Sequence, residues 1–222
     1  MTVTPLGDRA LIVAMPDEGA AFRLAETIRQ TRPEWLEDVV PAYATVGVFF
    51  ESNLIDTVSV TRWVQSLPRG GTASKSIAGK TISIPVCYEL GPDLGRVAES
   101  LGRAQDDVIT LHTGTVYTVF AIGFVPGFPY LGYLPRELSG VPRLDSPRIR
   151  VEPGSVGLTG RQTGIYPSAR PGGWSLIGRT PLTIVDLNSG YFPIRVGDKV
   201  KFERIDHAEF QRLFGERIPA TS

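Results

Sequence analysis

Hydrophobic and polar positions change their period along the chain. Leu11 and Val13 alternate with polar neighbours after Gly7-Asp8, a period of two that predicts a strand. Asp17 then stands where a helix N-cap belongs, and Ala21, Leu24, Ala25 and Ile28 form one apolar stripe behind it. Val39 and Val40, followed by Val46, Val48 and Phe50, predict two strands that turn between Pro41 and Thr45. A second helix from about Leu54 carries Val60, Trp63, Val64 and Leu67 on one face. Thr81–Cys87 alternates again, with Ile82, Ile84 and Val86 on one side. The order strand-helix-strand-strand-helix-strand predicts a ferredoxin-like α+β domain over residues 1–90. Within it the Gly- and Ser-rich stretch from Pro68 to Lys80 reads as a linker or long loop.

Residues 91–222 form the second predicted domain. It opens with two short helices. One starts at Pro92, buries Leu94, Val97, Ala98 and Leu101 and stops at Gly102. The next carries Val108, Leu111 and His112 and stops at Gly114. From Ile122 to Pro181 the chain then holds 11 Gly and 9 Pro, a density that suggests disorder when it has no period. Phe124, Phe128, Tyr130, Tyr133, Tyr166 and Trp174 are spread through it, and disordered chains avoid such residues. Turn-rich β structure accounts for both features, because glycine supplies positive φ and close backbone approach. Short apolar runs at Ser155–Leu158, Trp174–Ile177, Leu182–Leu187 and Val200–Ile205 supply the strands. Many short strands with frequent turns predict a closed or nearly closed barrel.

Composition narrows the function classes. With 42% hydrophobic and 21% charged residues over 222 positions, the chain buries a core without disulfide or metal staples. Lys+Arg and Asp+Glu are both 23, so no net field draws it to nucleic acid or anionic lipid. No apolar run approaches the ~18 residues of a membrane span. Met1–Asp8 lacks the basic and apolar regions of a leader, so the expected location is the cytoplasm. Cys87 is the only cysteine and sits inside a predicted strand as a packed core thiol. With His112 and His207 the only histidines, no metal site is expected.

Charge is skewed between Arg143 and Arg179. Arg143, Arg148, Arg150, Arg161, Arg170 and Arg179 face only Asp145 and Glu152, and lysine is absent. Arginine in place of lysine suits planar, bidentate capture of carboxylate or phosphate, and the glycines free backbone N–H groups for the same task. The chain carries no G-x-x-x-x-G-K-[ST] phosphate loop, no H-E-x-x-H and no G-x-S-x-G turn. His112 shares a helical face with Val108, which suits a satisfied, half-buried ring as well as a proton carrier. The pattern predicts a chain that contributes part of a site.

Phe124-Val125-Pro126-Gly127-Phe128-Pro129-Tyr130-Leu131-Gly132 resembles the G-F-x-P-G-F-P-Y-L-G signature of the family formed by the B subunits of 5-oxoprolinase. That family is also described as allophanate hydrolase subunit 1 or as the sporulation-kinase inhibitor KipI. Ser146-Pro147-Arg148, Gly154-Ser155-Val156-Gly157, Gln162-Thr163-Gly164-Ile165-Tyr166-Pro167, Pro171-Gly172-Gly173-Trp174 and Leu176-Ile177-Gly178-Arg179-Thr180-Pro181 follow in the family's order. Glu152-Pro153 stands where the family shows Pro-Ala, and Arg161 where Gly or Ala commonly precedes Gln-Thr-Gly. The resemblance implies an N-terminal α+β domain followed by a cyclophilin-like β-barrel. It also implies a hetero-oligomer with a homologue of the C subunit and a third oxoprolinase protein. That assembly consumes ATP to open 5-oxoproline, or a related small amide or lactam, to L-glutamate.

On this reading Arg148 and Arg179 hold a carboxylate-like anion. Gln162 and Thr163, next to the open backbone of Gly164, orient an amide or its developing oxyanion. His112 moves a proton. These residues are expected to converge on one pocket of the barrel. An allophanate or urea-pathway hydrolase or carboxyltransferase subunit, and a KipI-like inhibitor docking a histidine kinase through an apolar patch, are the alternatives.

Overall fold

A computed structural model describes residues 1–68 and 79–219, and the chain divides into two compact units, Met1–Ala78 and Gly79–Ser222. In the first unit β1 (Thr2–Pro5), β2 (Ala10–Ala14), β3 (Leu36–Ala42) and β4 (Thr45–Phe50) form an antiparallel sheet in the order β1-β2-β4-β3. Helices α1 (Glu18–Thr31) and α2 (Thr57–Ser66) pack on it. Asp17 caps α1 by accepting the Ala20 N–H at 2.7 Å, and Asp56 caps α2 through the Ser59 N–H at 2.9 Å. The pleat sends Leu11, Val13, Val46, Val48 and Phe50 to one face. There they meet the predicted stripe of Ala21, Leu24, Ala25 and Ile28 together with Val60 and Val64.

The second unit contains β5 (Thr81–Cys87), α3 (Leu94–Ser100), α4 (Gln105–Thr113), β6 (Val116–Ile122), β7 (Pro129–Gly132) and β8 (Arg148–Val151). It continues with β9 (Ser155–Thr159), β10 (Gln162–Ile165), β11 (Arg170–Gly172), β12 (Ser175–Arg179), β13 (Lys199–Ile205) and α5 (His207–Arg212). Seven strands close into a barrel, β10-β7-β6-β13-β5-β12-β9, while β8 and β11 pair as a separate ribbon. Closure leaves no free edge, which suits a segment too rich in Gly and Pro for long strands. Ile82, Ile84, Val119, Leu131, Val156, Ile165, Ile177 and Phe202 are among the buried residues of its core.

Three expectations are corrected here. Thr81–Cys87 does not complete the first sheet, and the compact units divide after Ala78 rather than near residue 90. The seat beside β2, where a ferredoxin-like layer takes its last strand, is held by β1 instead. β5 pairs in parallel with β13 along its whole length, from Thr81↔Lys199 to Cys87↔Ile205. Its alternating apolar row finds Val200 and Phe202 there, so the strand and its buried face were legible but not its sheet. Leu182–Leu187, expected as a strand, makes only isolated bridges at Thr183 and Asp186. The Thr183 N–H donates to Glu216 O at 2.7 Å, tying this run to the C-terminal segment. The Gly- and Ser-rich stretch lies, but for its ends, outside the described residues. No helix among the described residues is long and apolar enough to cross a membrane.

Candidate functional site

α4 lays His112 against the barrel core, its ring stacked on Phe202 with centroids 4.5 Å apart. The ring is fully buried. Its Nε2 lies 3.1 Å from Thr163 Oγ1 and its Nδ1 2.7 Å from the Tyr88 hydroxyl. Thr163 gives its only proton to Gly157 O at 3.0 Å, so its oxygen accepts from an Nε2–H. Nδ1 is then the acceptor for Tyr88, and the partners fix one neutral tautomer. Burial pushes the His112 pKa down to about 3. Every side-chain polar atom of this trio has a partner.

Arg148 is placed differently. Asp93, buried at the start of α3, accepts the Leu176 N–H on Oδ2 at 2.7 Å and the Arg148 Nη2–H on Oδ1 at 2.7 Å. One arm of the guanidinium is therefore pinned. The other terminal nitrogen, Nη1, is buried with no hydrogen-bond partner. An unmet buried donor costs about 1–3 kcal/mol, and more on a charged group. Native structures seldom carry that cost without a reason.

Aromatic rings line the same region. Arg148 lies opposite Gly172 on the β8–β11 ribbon, and Gly172 rests on Tyr166, where a Cβ would sit 2.5 Å from the hydroxyl. Phe128 meets Tyr166, Tyr130 and Trp174 edge-to-face, with centroids 5.2, 4.9 and 5.5 Å away. Gly164 makes that packing possible, because a Cβ there would approach the Phe128 ring to 2.9 Å. Phe124 adds an edge, 5.6 Å from Phe128 and 6.4 Å from Tyr166, yet its side chain is 59% exposed. Its φ is 63°, and the Val125 N–H donates to Gly123 O at 2.7 Å across it. That is a γ-turn of the positive-φ kind, strained for a bulky residue.

Arg143 stands beside these rings. It is exposed and makes no ion pair among the described residues. The Leu144 N–H donates to Gly173 O at 2.7 Å, which fixes its loop next to Trp174. Burial pushes the Tyr130 hydroxyl up, and the Arg143 charge pulls it back. Burial also raises Tyr166, against the Trp174 backbone N–H and the charges of Arg143 and Arg148.

The anticipated residues do not converge. His112 and Thr163 touch each other inside the core, where both are fully buried. Arg148 and Gly164 flank the aromatic wall. Gln162 pairs with Thr159 at one end of β9, whereas Arg179 pairs with Ser155 at the other. Four strand steps of ~3.3 Å put roughly 13 Å between those ends. Arg179 Nε moreover donates to Pro153 O at 2.8 Å, away from the Gln162 end. Asp93, Arg143, Tyr130, Tyr166 and Phe124 were missed as site residues. Their signal was the interleaving of rings with arginines, and Asp93 within Gly91-Pro92-Asp93-Leu94. Among the described residues no group of three or more His, Cys, Asp or Glu is placed to hold a metal ion.

Comparison with known proteins places this geometry. Residues 1–191 match the model of the carboxyltransferase domain, subdomain C and D. The chain is 34% identical to the B subunit of 5-oxoprolinase from Bacillus subtilis (strain 168), over 94% of each protein. Among solved structures, TTHA0988 superposes with a TM-score of 0.77 at 33% identity, covering 90% of this chain but only 40% of that one. The urea amidolyase of K. lactis shares the fold, with a TM-score of 0.74 at 17% identity over 98% of this chain and 16% of that one. The chain belongs to the carboxyltransferase subdomain C and D family, and within it is similar to the B subunits of 5-oxoprolinase.

Proposed function

We propose that the chain is one subunit of an ATP-consuming amide hydrolase of the 5-oxoprolinase type. It acts with a C-subunit partner and a third protein to open 5-oxoproline to L-glutamate in the cytoplasm. Likeness to 5-oxoprolinase B subunits along nearly the whole chain supports the reading. In TTHA0988 the counterpart of this chain is 40% of one longer polypeptide, which supports a working unit larger than this chain.

The observation that carries the reading is Arg148, pinned by Asp93 through one arm and left with an unmet donor on the other. Such a group is built to meet an acceptor supplied from outside, and a substrate carboxylate is one. It binds and orients; it neither attacks a carbonyl nor moves a proton. The one buried histidine is committed to the core, so the groups that activate water come from the companion proteins. ATP is a co-reactant of the assembly, and no residue of this chain is assigned to it.

The test is reconstitution. The purified chain with ATP and 5-oxoproline should release no glutamate above a mock preparation, and adding the companions should start turnover. Glutamate release by the chain alone would sink the split-site reading.

A further inference from the structure

Tyr130 and Tyr166 belong to the aromatic wall, Arg148 lies on the ribbon opposite Gly172, and the charge of Arg143 is felt at both phenols. Among the described residues Asp93 is the carboxylate that pairs with Arg148. Tyr166 is held from below by Gly172, and Tyr130 is only partly buried. Arg143 precedes Leu144, whose N–H holds this loop on Gly173 beside Trp174. Arg148 brings its unmet Nη1 from the ribbon. The four donors come from four separate segments, and among the described residues Asp93 is the one carboxylate in an ion pair with either arginine. Phe124 stands at the edge of this set, braced outward on Phe128 and Tyr166 in a backbone conformation that costs energy. Strain of this sort persists where surrounding structure enforces it, and it clusters at ligand clamps.

We propose that Tyr130, Tyr166, Arg143 and the Nη1 of Arg148 form a binding site for a small carboxylate whose apolar body lies along Phe124. The proposal rests on the subunit reading above and assigns a location and a ligand shape to it. The hydroxyl of Tyr130 and the guanidinium of Arg143 are reached first, being the less buried donors. Nη1 completes the set when the bound anion displaces the side chains that now shut it from solvent. A ring or short alkyl body is favoured over acetate, because the exposed Phe124 ring offers apolar surface beside the charge.

The test uses the isolated full chain, following the indole N–H resonance of Trp174, which packs against Tyr130 at 5.9 Å. Probes are cyclopentanecarboxylate, benzoate, acetate and, as uncharged control, cyclopentanol. The two ring carboxylates should shift that resonance saturably, acetate more weakly and the alcohol not at all. Tyr130→Phe and Arg143→Ala should each weaken binding about ten-fold, the loss of one charge-assisted hydrogen bond, with melting temperature unchanged. Phe124→Ala should erase the preference of the ring acids over acetate. Wild-type affinity in both Tyr130→Phe and Arg143→Ala, or no shift of Trp174 by any carboxylate, overturns the site. Turnover by the assembled system carrying those two variants at unchanged KM would also sink it, while leaving the subunit reading intact. Saturable binding with no assembly that turns over would do the reverse.

Discussion

The second unit holds two polar clusters of opposite construction. The His112–Tyr88–Thr163 trio is sealed, with each ring nitrogen and hydroxyl matched inside the core. The Arg148–Asp93 pair is matched on one arm only, beside tyrosine hydroxyls and an exposed arginine. A fully satisfied buried network specifies a packing, because any other arrangement strands its donors. A buried network with one donor over specifies nothing further about the fold. Its surplus is the buried Nη1, the feature on which the proposed site rests. Residue type alone does not separate the two, since the histidine is enclosed in the core and the arginine keeps an unmet donor.

The largest effect expected is in the sealed cluster. His112→Ala should cost about 3–5 kcal/mol in urea unfolding, from the cavity and from the Tyr88 hydroxyl left without its partner. Wild-type stability in that variant would break the contrast at its root. Arg148→Ala should cost about 2–3 kcal/mol, less than a wholly buried pair because the arginine is partly exposed. Arg143→Ala, which breaks no ion pair, should stay within about 0.5 kcal/mol of wild type. Ligand binding in Arg148→Ala is therefore interpretable only beside its unfolding curve, and Arg143→Ala is the cleaner probe.

The pH dependence sharpens the same distinction. His112 is neutral in the fold with its pKa pushed down to about 3, whereas the unfolded chain takes up the proton near 6.5. Between those values the unfolded state binds more protons, so this contribution is complete above pH 6.5 and is lost as pH falls toward 3. Its slope approaches ~1.4 kcal/mol per pH unit. Subtracting the unfolding free energies of His112→Asn from wild type over that window should reveal the slope. A flat difference would mean that the ring is reached by water. A further effect concerns Phe124. At a φ of 63°, Phe124→Gly should be more stable than Phe124→Ala by about 1 kcal/mol, reversing the usual order of those residues. Equal midpoints would remove the strain from the description of the site.

Much of the fold was legible because its signals are local. Asp17 and the stripe from Ala21 to Ile28 needed no partner to announce α1, and the glycines and prolines after Ile122 announced turns. What stayed hidden depends on distant pairing. Alternation in Thr81–Cys87 fixes which side chains share a face, but the strand that completes that face lies 118 residues on, at Lys199 opposite Thr81. Asp93 and Arg148 are 55 positions apart, so their ion pair left no trace in spacing. His112 and Thr163, 51 apart, were singled out for their chemistry. Only the closed barrel shows that each is the other's partner.

The parallel pairing of β5 with β13 also bears on how the protein is made. The first and last strands of the barrel are neighbours, so it stays open on one side until Ile205 has left the ribosome. At ~5–20 residues per second, the first strand of the barrel waits roughly 6–24 s for its neighbour. Over that interval the Ile82–Ile84–Val86 row has nothing of its own to lie against on that side. The four-stranded sheet of the first unit is already complete, since all its strands precede Glu51. Any chain cut short before Lys199 carries an unpaired apolar strand and invites capture by another copy or by a chaperone.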